Sequence, residues 1–109
     1  MTYNEILLRV KNGGLSPDEV AEYRTQLAVK LAYLHEEKAR LGIAASEWIN
    51  AHRPDHKSYA DAERGWDVTE EGKSLIKVKE RINGMGELLK VLESRWFSLR
   101  DEMKQANAY

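Results

Sequence analysis

Between Val68 and Ala106 every seventh residue from Leu75 is apolar: Leu75, Ile82, Leu89, Trp96 and Met103. The row beginning three residues later, Val78, Met85, Leu92, Leu99 and Ala106, is apolar too. Most positions between the rows are Lys, Arg, Glu, Asp or Ser. Apolar residues kept at two positions of each heptad argue for one long helix with a narrow seam pressed against other helices. This pattern predicts a helix over residues 68–106. Asn83-Gly84-Met85-Gly86 reads locally as a turn, but the heptad phase is the same on both sides of it, which a turn has no reason to preserve. The glycines are therefore expected inside the helix, where a neighbour comes close or the helix kinks, with close packing preferred.

A helix needs a companion, and the first half of the chain offers one. Residues 3–12 form a short amphipathic piece with Tyr3, Ile6, Leu7 and Val10 on one side, stopped by Gly13 and Gly14. Ser16 then stands as an N-cap, Pro17 at the first helical position and Glu19 as the far half of an S-x-x-E capping box, with Leu15 and Val20 as a hydrophobic staple. Nothing breaks the helix that starts there before Pro54, so residues 16–51 are predicted helical, about 50 Å long. Its clean row is Val20, Leu27, Leu34, Leu41 and Trp48; the companion row, Arg24, Leu31, Lys38 and Ala45, is ragged.

Residues 52–67 connect the two. Pro54 ends the first long helix, Ser58 with Asp61 is expected to cap a single turn closed by Gly65, and Asp67 with Glu70, or Thr69 alone, caps the second long helix. Trp66 is expected to anchor the connector on the helix ends. The fold class is thus all-α: a long antiparallel, coiled-coil-like hairpin with a short N-terminal helix, in a single domain over residues 1–109. The leucine rows are expected to pair as Trp48 with Leu75, Leu41 with Ile82, Leu34 with Leu89, Leu27 with Trp96 and Val20 with Met103. Leu88, Val91, Phe97, Ile76, Leu31 and Tyr33 lie off that seam and are expected to stay partly exposed, a pattern that marks partner surfaces. The N-terminal helix covers part of this surplus. A second copy, making a homodimeric helical bundle, is expected to cover more.

Composition narrows the function. Residues 1–67 carry 9 basic and 11 acidic groups and residues 68–109 carry 8 and 7, so neither half attracts nucleic acid or an acidic membrane by bulk charge. The absence of cysteine removes disulfides and thiolate metal sites. No apolar run approaches a membrane span and no leader-like segment opens the chain, so a cytoplasmic location and no membrane contact are expected.

Few side chains suggest chemistry. His52, Asp55 and His56 form the best metal candidate, but Pro54 breaks the helical spacing that would align two histidines, and two solvent-exposed loop histidines are the expectation. No metal and no cofactor are expected. The chain has no G-x-S-x-G element and no phosphate-cradling glycine loop, and its carboxylates alternate with Lys and Arg as on a solvated helix face. An enzyme is not expected. Arg53, His56, Lys57 and Arg64 around Tyr59 and Trp66 give a basic, aromatic connector, the basis of an alternative reading as a nucleic-acid-binding accessory protein. Asp55, Asp61, Glu63 and Asp67 share that stretch and offset its charge.

Small secreted two-helix proteins with a tryptophan at the turn carry W-x-G, where this chain has Gly65-Trp66-Asp67 and a longer connector. The run Trp66-Asp67-Val68-Thr69-Glu70-Glu71-Gly72-Lys73, followed by Ile82, Met85, Leu88, Leu89 and Arg95, resembles small helical-hairpin accessory proteins of bacteriophages and prophages. The resemblance covers residues 16–106 in architecture. It implies a non-enzymatic interaction protein that binds a phage or host protein, modulating host defence or assisting recombination or replication, in the host cytoplasm. Arg53, His56, Lys57, Tyr59, Trp66, Leu88, Val91 and Phe97 are the candidate partner-binding residues from the residue pattern.

Overall fold

The computed structural model describes residues 1–108, with side-chain surroundings for residues 1–105. Four α-helices follow one another: α1 (Tyr3–Asn12), α2 (Pro17–His52), α3 (Tyr59–Asp67) and α4 (Glu70–Ala108), with a 3-10 turn at Arg53–Asp55 between α2 and α3. The two long helices pack against each other as an all-α hairpin. The chain divides into two compact units, one of Ala32–Asn83 and one of Met1–Leu31 with the chain from Gly84 on. We call them the middle unit and the end unit.

The helix boundaries are set by local chemistry. Thr2 caps α1 by accepting the Glu5 amide, and Gly13 and Gly14 end it at φ 72° and 69°, a left-handed conformation that glycine adopts without strain. At the start of α2 both halves of the capping box form: the Glu19 amide donates to Ser16 Oγ, and the Ser16 amide donates to Glu19 Oε1. Glu19 Oε2 accepts from Arg9 at 2.7 Å, tying α1 to the first turn of α2. Leu15 and Val20 of the staple are both buried. Asn83-Gly84-Met85-Gly86 lies inside α4, which continues unbroken through it.

In the end unit, Ile6 of α1 is fully enclosed by Val20, Tyr23 and Leu27 of α2 and Leu88 and Leu92 of α4, with Tyr3, Leu7, Val10, Met85, Leu89, Trp96 and Leu99 around them. Leu88 thus departs from expectation: it is 5% exposed, because α1 lies on its flank of α4. The neighbour that comes close at Gly84 is the Tyr3 hydroxyl of α1, 3.2 Å from where a Cβ would stand, whereas nothing lies within 4 Å of that point at Gly86. In the middle unit, Leu41 and Ile49 of α2, Ala62 and Trp66 of α3, and Leu75 and Val78 of α4 form the buried cluster.

Of the expected pairs between α2 and α4, Leu27 with Trp96, Leu41 with Ile82 and Trp48 with Leu75 each fall within one core cluster, whereas Leu34 packs in the middle unit and Leu89 in the end unit. Arg24 stands over the Trp96 ring at 5.6 Å, Ala28 and Leu89 line one groove, and Arg40 lies in the field of Glu71. The connector also departs from expectation. It folds as a nine-residue helix, with Gly65 inside it, rather than as a single turn. Trp48, the last member of the clean α2 row, turns to this helix, with its ring 6.2 Å from that of Trp66. Met103, matched to Val20 by the sequence pattern, is left 56% exposed. Ala106, the last seam position, lies outside the residues whose side chains are described.

Candidate functional site

The connector is built around two aromatic rings. Ser58 caps α3 through the Asp61 amide, and Trp66, the eighth residue of α3, is carried into the middle-unit core, 5% exposed. At the other end of α3, Thr69 Oγ1 donates to the Trp66 carbonyl at 2.6 Å and accepts from the Gly72 amide at 3.0 Å. Thr69 alone therefore caps α4, the second of the two capping alternatives. His52 stacks on Trp48 with ring centroids 4.0 Å apart, and its Nδ1 donates to the Trp48 carbonyl at 2.8 Å. His56 places its ring over Gly65, where a Cβ would stand 3.0 Å from Cε1, and its Nδ1 meets Asp61 Oδ2 at 3.0 Å. Both histidines are packing elements, not the solvent-exposed loop residues expected from sequence. They are half-buried because Trp48 and α3 close over them.

Of the connector residues read as partner-binding, Arg53, Lys57 and Tyr59 are exposed, His56 is half-buried and Trp66 is buried. Arg53 is held by its own loop, donating from Nη1 to the His56 carbonyl at 2.9 Å. Tyr59, 55% exposed, is therefore the connector aromatic that remains open to stacking, since Trp66 is enclosed by Ala62, Leu75 and Val78. The exposed carboxylates of Asp55, Glu63 and Asp67 share the surface. Among the described residues no three His, Cys, Asp or Glu side chains are grouped to hold a metal ion.

The hydrogen bond from His56, first, holds the Asp61 carboxyl below the usual carboxylate range. A carboxyl with a folded value below its unfolded value stabilises the fold fully above the unfolded value, and that contribution is lost as pH falls through the folded one. The urea midpoint of the wild type is therefore expected to fall on acidification below about pH 4, and the fall should be shallower in Asp61→Asn. Equal acid slopes in the two proteins would show that the pair has no part in stability.

The end unit carries the apolar candidates. Leu88 is enclosed, as described above, and unable to meet a partner without displacing α1. Val91 is 48% exposed beside a groove lined by Tyr3, Leu7, Gly84, Glu87 and Leu88. Phe97 is 54% exposed, with the Arg100 guanidinium 5.9 Å from its ring centroid. On the other flank of α4 a groove of about 330 Å³ runs between it and α2, lined by Ala21, Arg24, Thr25, Ala28, Leu89 and Glu93. Arg24 is a residue the sequence pattern marked only as a defect of the companion row. Its Nε is buried without a hydrogen-bond partner while the guanidinium covers Trp96.

No helix of the described residues is long and apolar enough to cross a membrane. Compared with known proteins, no family model, curated protein or solved structure matches the chain.

Proposed function

We propose that this chain is a non-enzymatic protein–protein interaction protein of the phage or prophage accessory kind, which pairs with a second copy and docks a phage or host protein in the host cytoplasm. The observation that supports this reading is the half-exposed state of Val91 and Phe97 on α4, two large apolar side chains of a helix whose other flanks are covered by α1 and α2. Apolar surface of this kind gains free energy when a partner removes it from water.

The test immobilises the full chain and compares wild type with Val91→Glu in extract of the native host. The expected result is stoichiometric capture of one protein by wild type and its loss with Val91→Glu. Capture of nothing, or equal capture by both, rejects the reading. The second reading, nucleic-acid binding through the connector, is kept alive by Tyr59 standing exposed near Arg53 and Lys57. Retention on immobilised DNA or RNA at about 50 mM salt with release by about 200 mM would favour it. The expected result is no retention.

A further inference from the structure

Glu93, Phe97 and Arg100 are spaced four and three residues apart and so share one face of α4. Phe97 is the exposed centre of that face, and a carboxylate and a guanidinium flank it. Neither Glu93 nor Arg100 takes part in the ion pairs formed among the described residues, although Glu87 and Lys90 on the same helix do. Towards α2 the face runs into the groove whose wall is Ala21, Thr25 and Ala28, small side chains that let another helix approach closely. A helix complementary to this face carries the same three side chains in reverse order: cation, aromatic ring, anion. α4 itself, turned end for end, presents that order.

We infer that a second copy of this chain docks here, its α4 antiparallel to the first about a two-fold axis at Phe97. The two Phe97 rings meet at the axis, and Glu93 of each copy faces Arg100 of the other. The same patch serves on both subunits, so the assembly closes at two. An aromatic centre with charges at its edge is the arrangement that protein interfaces favour, the ring supplying affinity and the charges fixing register. At the ends of the pairing Lys90 of one copy approaches Lys104 of the other. Lys90 already has the Glu87 carboxylate at 3.3 Å, which softens that repulsion. The seam gives the homodimer of the proposed function its surface and rests on that reading, while leaving the groove beside Val91 free for a different protein.

Sedimentation equilibrium of the full chain tests it, with far-ultraviolet circular dichroism confirming that each variant remains helical. Glu93→Arg alone sets two arginines opposite each other twice, and Arg100→Glu alone does the same with two glutamates. Each is expected to raise the dimer dissociation constant about tenfold or more. The double exchange, Glu93→Arg with Arg100→Glu, rebuilds the pairs in reverse and is expected to return the constant to within about threefold of wild type. Should either single variant lose its helicity, Phe97→Ser, which adds no charge, takes its place and is expected to give a monomer. A wild-type monomer overturns both this seam and the dimer of the proposed function. A wild-type dimer that ignores the single reversals, is not restored by the double exchange, or survives Phe97→Ser overturns the seam alone.

Discussion

Gly72→Ala is expected to destabilise the protein by about 3 kcal/mol or more, against the ordinary trend for a glycine inside a helix. Replacing a helical glycine by alanine usually stabilises, by up to about 1 kcal/mol. At Gly72 the added Cβ would stand 2.0 Å from the Trp66 carbonyl oxygen, 2.8 Å from its carbon and 2.9 Å from the Asp67 Cα. These are backbone atoms and cannot swing aside as a side chain does. The carbonyl is fixed by the Thr69 amide at 3.0 Å and the Thr69 hydroxyl, whose oxygen in turn accepts from Gly72 itself. Relief therefore requires α3 and α4 to part at the corner, and the packing of Trp66 goes with it. Gly42 and Gly86 are the controls, since nothing lies within 4 Å of a Cβ at either. Gly42→Ala and Gly86→Ala are expected to raise the urea midpoint slightly while Gly72→Ala lowers it. If Gly72→Ala behaves like the other two, the account of the corner is wrong.

Trp66→Ala should cost about 4 kcal/mol. The ring is buried to 5% and packed among Ala62 of its own helix, Leu41 and Ile49 of α2, and Leu75 and Val78 of α4, so its removal opens a cavity shared by three helices. Its indole Nε1 has no hydrogen-bond partner, and the loss is one of packing alone. Trp66→Phe separates the two contributions. It keeps most of the ring and releases a buried donor that had no acceptor, so about 1 kcal/mol is expected from the lost volume. Urea unfolding of both variants, followed by circular dichroism, checks the contrast. Equal losses in the two would mean that the indole nitrogen contributes a bond absent from the described contacts.

The sequence was most legible where one local rule acts alone. The Ser16 capping box, the Pro17 start, the glycine stop after α1 and the unbroken α4 each follow from a few neighbouring residues, and each has the expected geometry. Heptad spacing was informative about which faces are apolar but silent about offset, because two rows of period seven fit at every whole-heptad shift. Trp48 shows the limit of the spacing. Its spacing matches the row Leu27, Leu34 and Leu41, yet its contacts are His52, His56 and Trp66. The nine-residue helix of the connector is not legible in the sequence because Gly65 resembles a stop. Its lack of a side chain instead admits the His56 ring and Trp48. Leu88 and Val91 were indistinguishable as off-seam residues until α1 settled on one and only approached the other. Thr69-x-x-Gly72 was readable as a cap, but nothing local says that the glycine is needed for a crossing.

The division of the chain between its two cores has a bearing on how it comes to be folded. The middle unit is one uninterrupted segment, Ala32–Asn83, whereas the end unit is assembled from residues that precede it and residues that follow it. Its two parts are separated by everything in between. Closing so long a loop before the middle unit exists carries the larger entropic cost; with that unit formed, the ends of the loop are already tethered. On a ribosome the first core is complete in sequence once Asn83 has been made, while Ile6, Val20 and Leu27 must wait for Leu88 and Leu92. The apolar side of α1 and the N-terminal part of α2 is thus the surface this protein leaves open longest during its own synthesis.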